Sequence, residues 1–366
     1  MSGAEAPHGS RKAGMARYLV TGGAGFIGSN LVAALTAAGE RVRVLDNLST
    51  GSWAQLDGIP EQSSIERIEG DIRDPEVVAR SARGVEVIFH EGALGSVPRS
   101  VDTPVESDAV NTGGTVTVLD VARRQGVRRV VFAASSAAYG ETPVLPKRED
   151  MAPMPMSPYA VTKLAAEQYL AVFSMIYGLE TCNLRYFNVF GPNQTPDGAY
   201  AAAIPRFIDS ALAGRPIEIF GDGEQTRDFC YIENTVRANL LAAGSSRKLA
   251  GEVVNIAGGR RIGLNELCRE IARVLGREIE IKHVAPRPGD IRHSLADITR
   301  AKELLGYEPL VRWEDGIAPT IEYLKILREK GPSAASQTLR NVAKQLAGAV
   351  KPNPDAPAKH GGGAAS

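Results

Sequence analysis

A tyrosine and a lysine stand four residues apart in Ser157-Pro158-Tyr159-Ala160-Val161-Thr162-Lys163. Pro158 suits the opening of a helix, and a spacing of four puts both side chains on one face of it. A free tyrosine, with a pKa of about 10, is a poor base at neutral pH, and a neighbouring ammonium lowers that value by stabilising the phenolate. The pair then suits proton transfer to and from a hydroxyl. Such pairs occur on many surface helices, so this one needs a companion. Ala133-Ala134-Ser135-Ser136-Ala137-Ala138-Tyr139-Gly140 supplies it, with two serines closing a strand-like run. Open parallel sheets bind ligands outside the carboxyl ends of their strands, and a hydroxyl there can hold the reacting group against the phenol.

A second group of residues addresses phosphates. Arg17-Tyr18-Leu19-Val20-Thr21-Gly22-Gly23-Ala24-Gly25-Phe26-Ile27-Gly28 reads as a strand, a glycine turn and a helix start. Gly22 permits the tight turn, Gly25 lets the backbone approach a pyrophosphate, and Gly28 allows close helix–strand packing. The helix then presents unpaired N–H groups and a positive dipole end to the phosphates. Asp46 ends the next strand at the distance such dinucleotide units require. A carboxylate there accepts bonds from both adenosine ribose hydroxyls and repels a 2′-phosphate, which favours NAD over NADP. Asp71, in Gly70-Asp71-Ile72, follows the third strand, where it reaches an adenine amine or simply caps a helix. A positive nicotinamide ring would join Lys163 in stabilising the Tyr159 phenolate.

These residues need a frame, and the pattern provides one. Strands are expected at 18–21, 41–46, 65–70, 85–90, 130–134 and 180–186, with helices at 27–38, 108–124 and 159–177. Apolar strands separated by helices imply an α/β fold, a doubly wound parallel Rossmann-type sheet covered on both faces. Beyond Asn188 helices are expected at 205–213, 232–243, 264–275 and 315–328, separated by loops and prolines, as in a smaller mixed α/β substrate lobe. The expected organisation is a disordered extension at 1–14, an NAD-binding domain at 15–185, a substrate lobe at 186–330 and a disordered Ser/Ala/Pro/Gly-rich tail at 331–366, with room for a transient helix at 338–350. With 42 basic and 42 acidic residues among 366, the chain lacks the basic field of a nucleic-acid binder. No apolar run approaches the roughly 20 residues that span a bilayer, and the first residues hold no signal-peptide core. Cys182, Cys230 and Cys268 are widely spaced without a CxxC pattern, which reads as three packed thiols in a reducing cytoplasm rather than a metal site.

Taken in order, these motifs resemble those of the extended short-chain dehydrogenase/reductase family, and within it the bacterial UDP-N-acetylglucosamine 4-epimerases. The resemblance covers Met15 to Leu327 and adds His90-Glu91-Gly92-Ala93-Leu94 and Arg185-Tyr186-Phe187-Asn188 to the motifs above. It implies Tyr159 as the base, Lys163 as its partner and Ser135 as the hydroxyl, with Ser136 beside it. It also implies cofactor contacts from Phe26, Ile27, Asn47, Ser49, Gly51, Ile72, Gly92, Ala93, Leu94, Asn111, Ala133 and Tyr186. For a UDP-sugar substrate it implies Asn188 at the diphosphate or acetamido region, Phe220 at uracil, and Arg227, Arg287 and Asp290 at the pyrophosphate and ribose. Guanidinium forks suit a diphosphate better than ammonium groups do.

Relatives that eliminate water or carbon dioxide resemble this chain but place acids just after the catalytic Ser/Thr, where it has Ala137-Ala138. The resemblance therefore implies 4-epimerisation: oxidation at C4, rotation of the keto sugar, and return of the hydride to its other face. Small residues implied at the sugar pocket, namely Gly95, Ser96, Ala202 and the size gate Ser294, favour N-acetylated hexoses. Ser294 also fits an ordinary hydroxyl in a turn. Residues 105–124 and 158–177 resemble a helix pair that forms a four-helix homodimer interface, with Val116, Leu119, Leu164, Ala165 and Tyr169 as candidates for its core.

Overall fold

The computed structural model describes residues 16–196, 202–286, 291–346 and 348. Its first half alternates β1 (Tyr18–Thr21), α1 (Phe26–Ala37), β2 (Val42–Asp46), β3 (Ile65–Glu69), α2 (Pro75–Ala82), β4 (Val87–His90), α3 (Val97–Asp102), α4 (Pro104–Asp108), α5 (Gly114–Arg124), β5 (Arg129–Ser135), α6 (Pro158–Tyr177) and β6 (Glu180–Tyr186). Then follow β7 (Val189–Phe190), α7 (Ala203–Leu212), β8 (Ile217–Phe220), β9 (Thr226–Asp228), β10 (Cys230–Tyr231), α8 (Ile232–Gly244), β11 (Ala250–Ile256), β12 (Arg261–Gly263), α9 (Leu264–Leu275), β13 (Ile281–Val284), α10 (Thr299–Leu305), α11 (Trp313–Lys330), α12 (Pro332–Ala335) and α13 (Leu339–Leu346).

Seven strands form one parallel sheet in the order β11-β6-β5-β4-β1-β2-β3. Chain direction across the sheet reverses between β1 and β4, the place where such sheets open a crevice at their carboxyl ends. Successive strand residues alternate between two cores. Val20, Val44, Phe89, Val131 and Leu184 face α1 and α8, whereas Leu19, Leu45, Ile88, Val130 and Phe132 face α2, α5 and α6. Three two-stranded pairs, β7 with β10, β8 with β13 and β9 with β12, build the smaller lobe.

The structure departs from the expected organisation in three places. The chain beyond 186 is not simply a lobe of its own, because β11 pairs with β6 and α8 packs on the same sheet face as α1. The helix expected at 108–124 starts earlier, as α4, and is interrupted by a π-turn over Ala109–Gly113 before α5. Most plainly, the tail expected to be disordered from 331 is folded as far as Leu346. Ala335, Leu339, Ala343 and Leu346 recur at helical spacing and are buried, which orders a segment whose average composition is polar and small.

Candidate active site

The glycine turn works through missing Cβ atoms. Gly22 has φ +67, and a Cβ on it would lie 2.7 Å from Gly92 Cα; one on Gly28 would lie 2.2 Å from Gly22 O. The turn is thereby pressed between the loop after β4 and the start of α1. Gly25 is the N-cap of α1 and no side chain caps the helix, so the N–H groups of its first turn stay available to an anion. Asp46 holds the turn from the side: its Oδ2 accepts from Ala24 N at 2.9 Å and its Oδ1 from Leu48 N at 2.9 Å. Burial raises its pKa, and these two N–H donors oppose the shift. A glycine cradle, an uncapped helix start and a carboxylate at the end of β2 fit a dinucleotide.

Beyond the turn, the β4 end is fastened to α6. His90 bridges Thr21 (2.7 Å) and Thr115 (3.0 Å), and burial keeps it neutral by lowering its pKa to about 3. Asn111 accepts from Leu94 N at 2.8 Å and donates to Leu94 O and to Thr162 Oγ1, which itself donates to Tyr159 O. Ser157 caps α6 by accepting from Ala160 N, and Tyr159 N donates to Ser100 Oγ at 2.9 Å. One turn past Lys163, the buried Glu167 pairs with Arg185 of β6 through two bonds, at 2.9 and 2.7 Å. Helix α6 is therefore fixed at its first turn and again two turns in.

These elements bring Ser135, Tyr159 and Lys163 to one cleft of about 590 Å³, within the usual range for ligand sites. The same cleft is lined by Gly22, Gly25, Phe26, Ile27, Gly28, Asp46, Asn47, Ser49, Ile72, Gly92, Ala93, Leu94, Gly95, Ser96, Ala133, Tyr186 and Asn188. Lys163 is buried, donates from Nζ to Ala133 O at 2.8 Å and lies over the Phe132 ring. Burial lowers its pKa to about 8, with Glu91 and Glu167 acting in the opposite direction. Burial raises the Tyr159 phenol, and Ser135 opposes that shift. The lowering expected from the ammonium alone is not what this arrangement gives, because desolvation of the phenol dominates and the lysine head is tied to Ala133.

Other expected residues fall elsewhere. Ser136 starts the short turn after β5 and does not line the cleft. Asn111 acts behind Leu94, and Gly51 packs on Ala24. Asp71 is held by Arg73 and Asn47, which keep its pKa down at about 2, while its neighbour Ile72 is the one that lines the cleft. Phe220 ends β8 in a separate cleft with Gln225, Pro286 and Arg292, beneath the guanidinium of Arg206. Ala202 is the N-cap of α7. Arg227 donates to the carbonyls of Thr226 and Arg292, and Ser294 N donates to Thr226 O at 3.0 Å. Arg287 and Asp290 lie outside the described residues. Neighbouring Asp228 is structural: it accepts from the N–H groups of Gly258, Gly259 and Ala296.

Two charged cleft residues had no role assigned from the sequence. Arg99 lines the cleft and pairs with Glu106. Glu91 lines it beside Lys163, its Oε1 accepting from Tyr186 Oη at 2.9 Å, and Tyr186 Oη accepts in turn from Asn239 at 2.7 Å. Its Oε2 is shielded from water and has no hydrogen-bond partner among the described residues, and burial raises its pKa to about 7. The signal was its place in a motif already singled out; its contacts come from β6 and α8, far along the chain.

A crevice at the carboxyl ends of a doubly wound sheet, with a dinucleotide turn on one side and a Tyr–Lys pair on the other, defines a class of nucleotide-dependent oxidoreductase chemistry. The family model for the NAD dependent epimerase/dehydratase family matches residues 18–257, and the chain belongs to that family. UDP-glucose 4-epimerase of Mycolicibacterium smegmatis is 41% identical over 84% of this chain and 98% of its own length. Among solved structures, UDP-N-acetylglucosamine 4-epimerase of Methanobrevibacter ruminantium in complex with UDP-N-acetylmuramic acid is 38% identical, with a TM-score of 0.79 over 84% of this chain and 97% of that one. UDP-glucose 4-epimerase of Thermus thermophilus in complex with NAD is 35% identical, with a TM-score of 0.76 over 84% and 99%. The chain is accordingly an epimerase of the nucleotide-sugar type, with NAD as cofactor.

Proposed function

We propose that this enzyme interconverts UDP-N-acetylglucosamine and UDP-N-acetylgalactosamine, and that UDP-glucose/galactose or the corresponding uronic acids are the other substrates within its reach. The observation that carries this reading is the meeting of Ser135, Tyr159 and Lys163 on a wall shared with the dinucleotide turn, next to Ala137 and Ala138, which carry no proton for elimination or decarboxylation. Bound NAD supplies a hydride acceptor that becomes the donor on the way back. Tyr159 takes the O4 proton as C4 gives up its hydride. Ser135 orients that hydroxyl, and Lys163, held on Ala133 O and charged below about pH 8, adds a positive charge to the same cleft. After the 4-keto sugar has turned about its diphosphate link, Tyr159 returns the proton. Residues Gly95 and Ser96 at the cleft are small enough to leave room for an acetamido group, and Ser294, which does not line the cleft, is the size gate by the family resemblance.

A homodimer through α6 is part of the same proposal. Val161, Tyr169, Val172 and Ile176 form an exposed stripe at spacings of three, four and eight, joined on α3 and α4 by exposed Val101 and Val105. Leu119, a candidate for that interface, is instead buried in the core between α5 and the sheet, so the surface shifts toward α6 and α4.

The test is incubation of the purified enzyme with each UDP-sugar and no added NAD, followed by separation of the epimers. Interconversion without accumulating NADH is the expected result. Keto-sugar or NADH in stoichiometric amounts would identify a net dehydrogenase instead.

A further inference from the structure

The folded C-terminal segment lies beyond Leu327, where the resemblance to the family ends, and what it touches is the cofactor side of the molecule. Ser336 Oγ accepts from Gly58 N at 2.7 Å, and Arg340 Nε donates to Gly58 O at 3.2 Å, so both backbone groups of one loop residue are taken. The fit is close: a Cβ on Gly58 would lie 2.2 Å from the carbonyl carbon of Ser336. Ser333 Oγ donates to Asp57 at 2.8 Å. Leu339, fully buried, shares a core with Leu56 and Ile59 of that loop and with Leu31 and Val32 of α1.

Three residues before Gly58 stands Gln55, itself buried. With its amide nitrogen turned toward the glycine turn, it donates to Ala24 O at 2.9 Å and Gly25 O at 3.1 Å. Ser52 N donates to Ala24 O as well, at 3.0 Å. Asn193 ties the Gln55 carbonyl to Ser29 of α1. A continuous line of hydrogen bonds and packed side chains therefore runs from Ser336, Leu339 and Arg340 through loop 51–59 to the backbone that faces the pyrophosphate. Ser49 and Thr50, just before this loop, line the cleft.

We propose that Pro332–Leu346 is a brace for the dinucleotide turn, whose docking on loop 51–59 slows the release of NAD. It rests on the NAD-binding half of the functional reading and is independent of which sugar is epimerised. An epimerase that regenerates its cofactor in every cycle gains from holding it, and a rigid turn loses less conformational freedom on binding. Ser336, Leu339 and Arg340 are positioning residues and touch neither the reacting atoms nor the cleft.

The experiment uses the full chain with Leu339→Asp, which places a charge in the buried interface, and separately with Ser336→Ala/Arg340→Ala, which removes only the bonds to Gly58. Dissociation of NAD is followed by its transfer to a scavenging dehydrogenase, together with NAD content after gel filtration and turnover at saturating NAD. Release should quicken by about tenfold or more in both variants, which for the double variant is the size expected when one or two hydrogen bonds are lost. Turnover at saturating NAD should stay within about twofold of the parent. If Leu339→Asp does not fold, the double variant decides alone. Unchanged release, or a fall in saturated turnover as large as the change in release, would overturn the brace. A parent enzyme that binds NAD but epimerises no sugar would sink the functional reading and leave this one standing.

Discussion

At the residue scale, the catalytic assignment turns on one ionisable hydroxyl. Tyr159→Phe keeps the ring and removes the group that moves the proton, so turnover should fall by about a hundredfold or more while NAD and UDP-sugar binding persist. Near-normal epimerisation by that variant would mean that another group is the base. Lys163 gives a second test. Burial lowers its pKa to about 8 and Glu91 raises it, so the working ammonium is present below that pH and lost above it. The alkaline limb of kcat should therefore lie near pH 8 and move to lower pH in Glu91→Gln, which keeps a hydrogen-bonding oxygen for Tyr186 but removes the charge. A limb that stays in place in kcat–pH profiles would separate Glu91 from the lysine. Ser294→Tyr should sharply reduce activity on UDP-N-acetylglucosamine and spare UDP-glucose, because a phenol ring fills about the space of an acetamido group; equal losses on both would deny it the gate. The glycine turn, Asp46, Ser135, Tyr159 and Lys163 were legible because each belongs to a local pattern with a strand before it or a helix after it. Glu91 was not, because its chemistry depends on Tyr186 and Asn239, brought in by β6 and α8.

At the scale of elements, the site depends on how firmly α6 is fastened to the sheet. Asn111 does this with both ends of its amide, serving Leu94 on the β4 loop and Thr162 on α6 from a π-turn that aims it there. Asn111→Ala leaves buried backbone groups of Leu94 unsatisfied and should cost about 1–3 kcal/mol of stability, measured by denaturant unfolding. No change would place the fastening elsewhere, in the Glu167–Arg185 pair, the Lys163–Ala133 bond or the Tyr159–Ser100 bond. Most core strands could be read as short, nearly continuous apolar runs because both of their faces are buried, and the longer helices as the longer patterns between them. The small paired strands of the second lobe and β11 could not, because two to seven residues of mixed character take their conformation from partners distant in sequence. A transient helix is expected at 338–350, where α13 forms, but α12 and the docking of both, signalled by the recurrence of Ala335, Leu339, Ala343 and Leu346, are hidden by a composition dominated by small and polar residues.

At the scale of the whole molecule, the faces of α6 divide its labour. Its inward face carries Lys163, Ala166, Glu167 and Leu170 toward the cleft and sheet, and its outward face carries Val161, Tyr169, Val172 and Ile176 to the surface. A stripe of apolar side chains held in water costs solubility unless it is covered, and a second copy of the same helix offers a self-complementary surface in which α6 and α4 of each subunit form four packed helices. Such a contact would press on the outside of the helix that holds the proposed catalytic pair. Val172→Glu introduces a like charge on both sides of that contact and leaves the cleft untouched. The parent should run as a dimer by light scattering at micromolar concentration, and the variant as a monomer with a lower melting temperature and reduced turnover. If both give the same mass, α6 does not pack on its copy, and the exposed stripe serves a different contact.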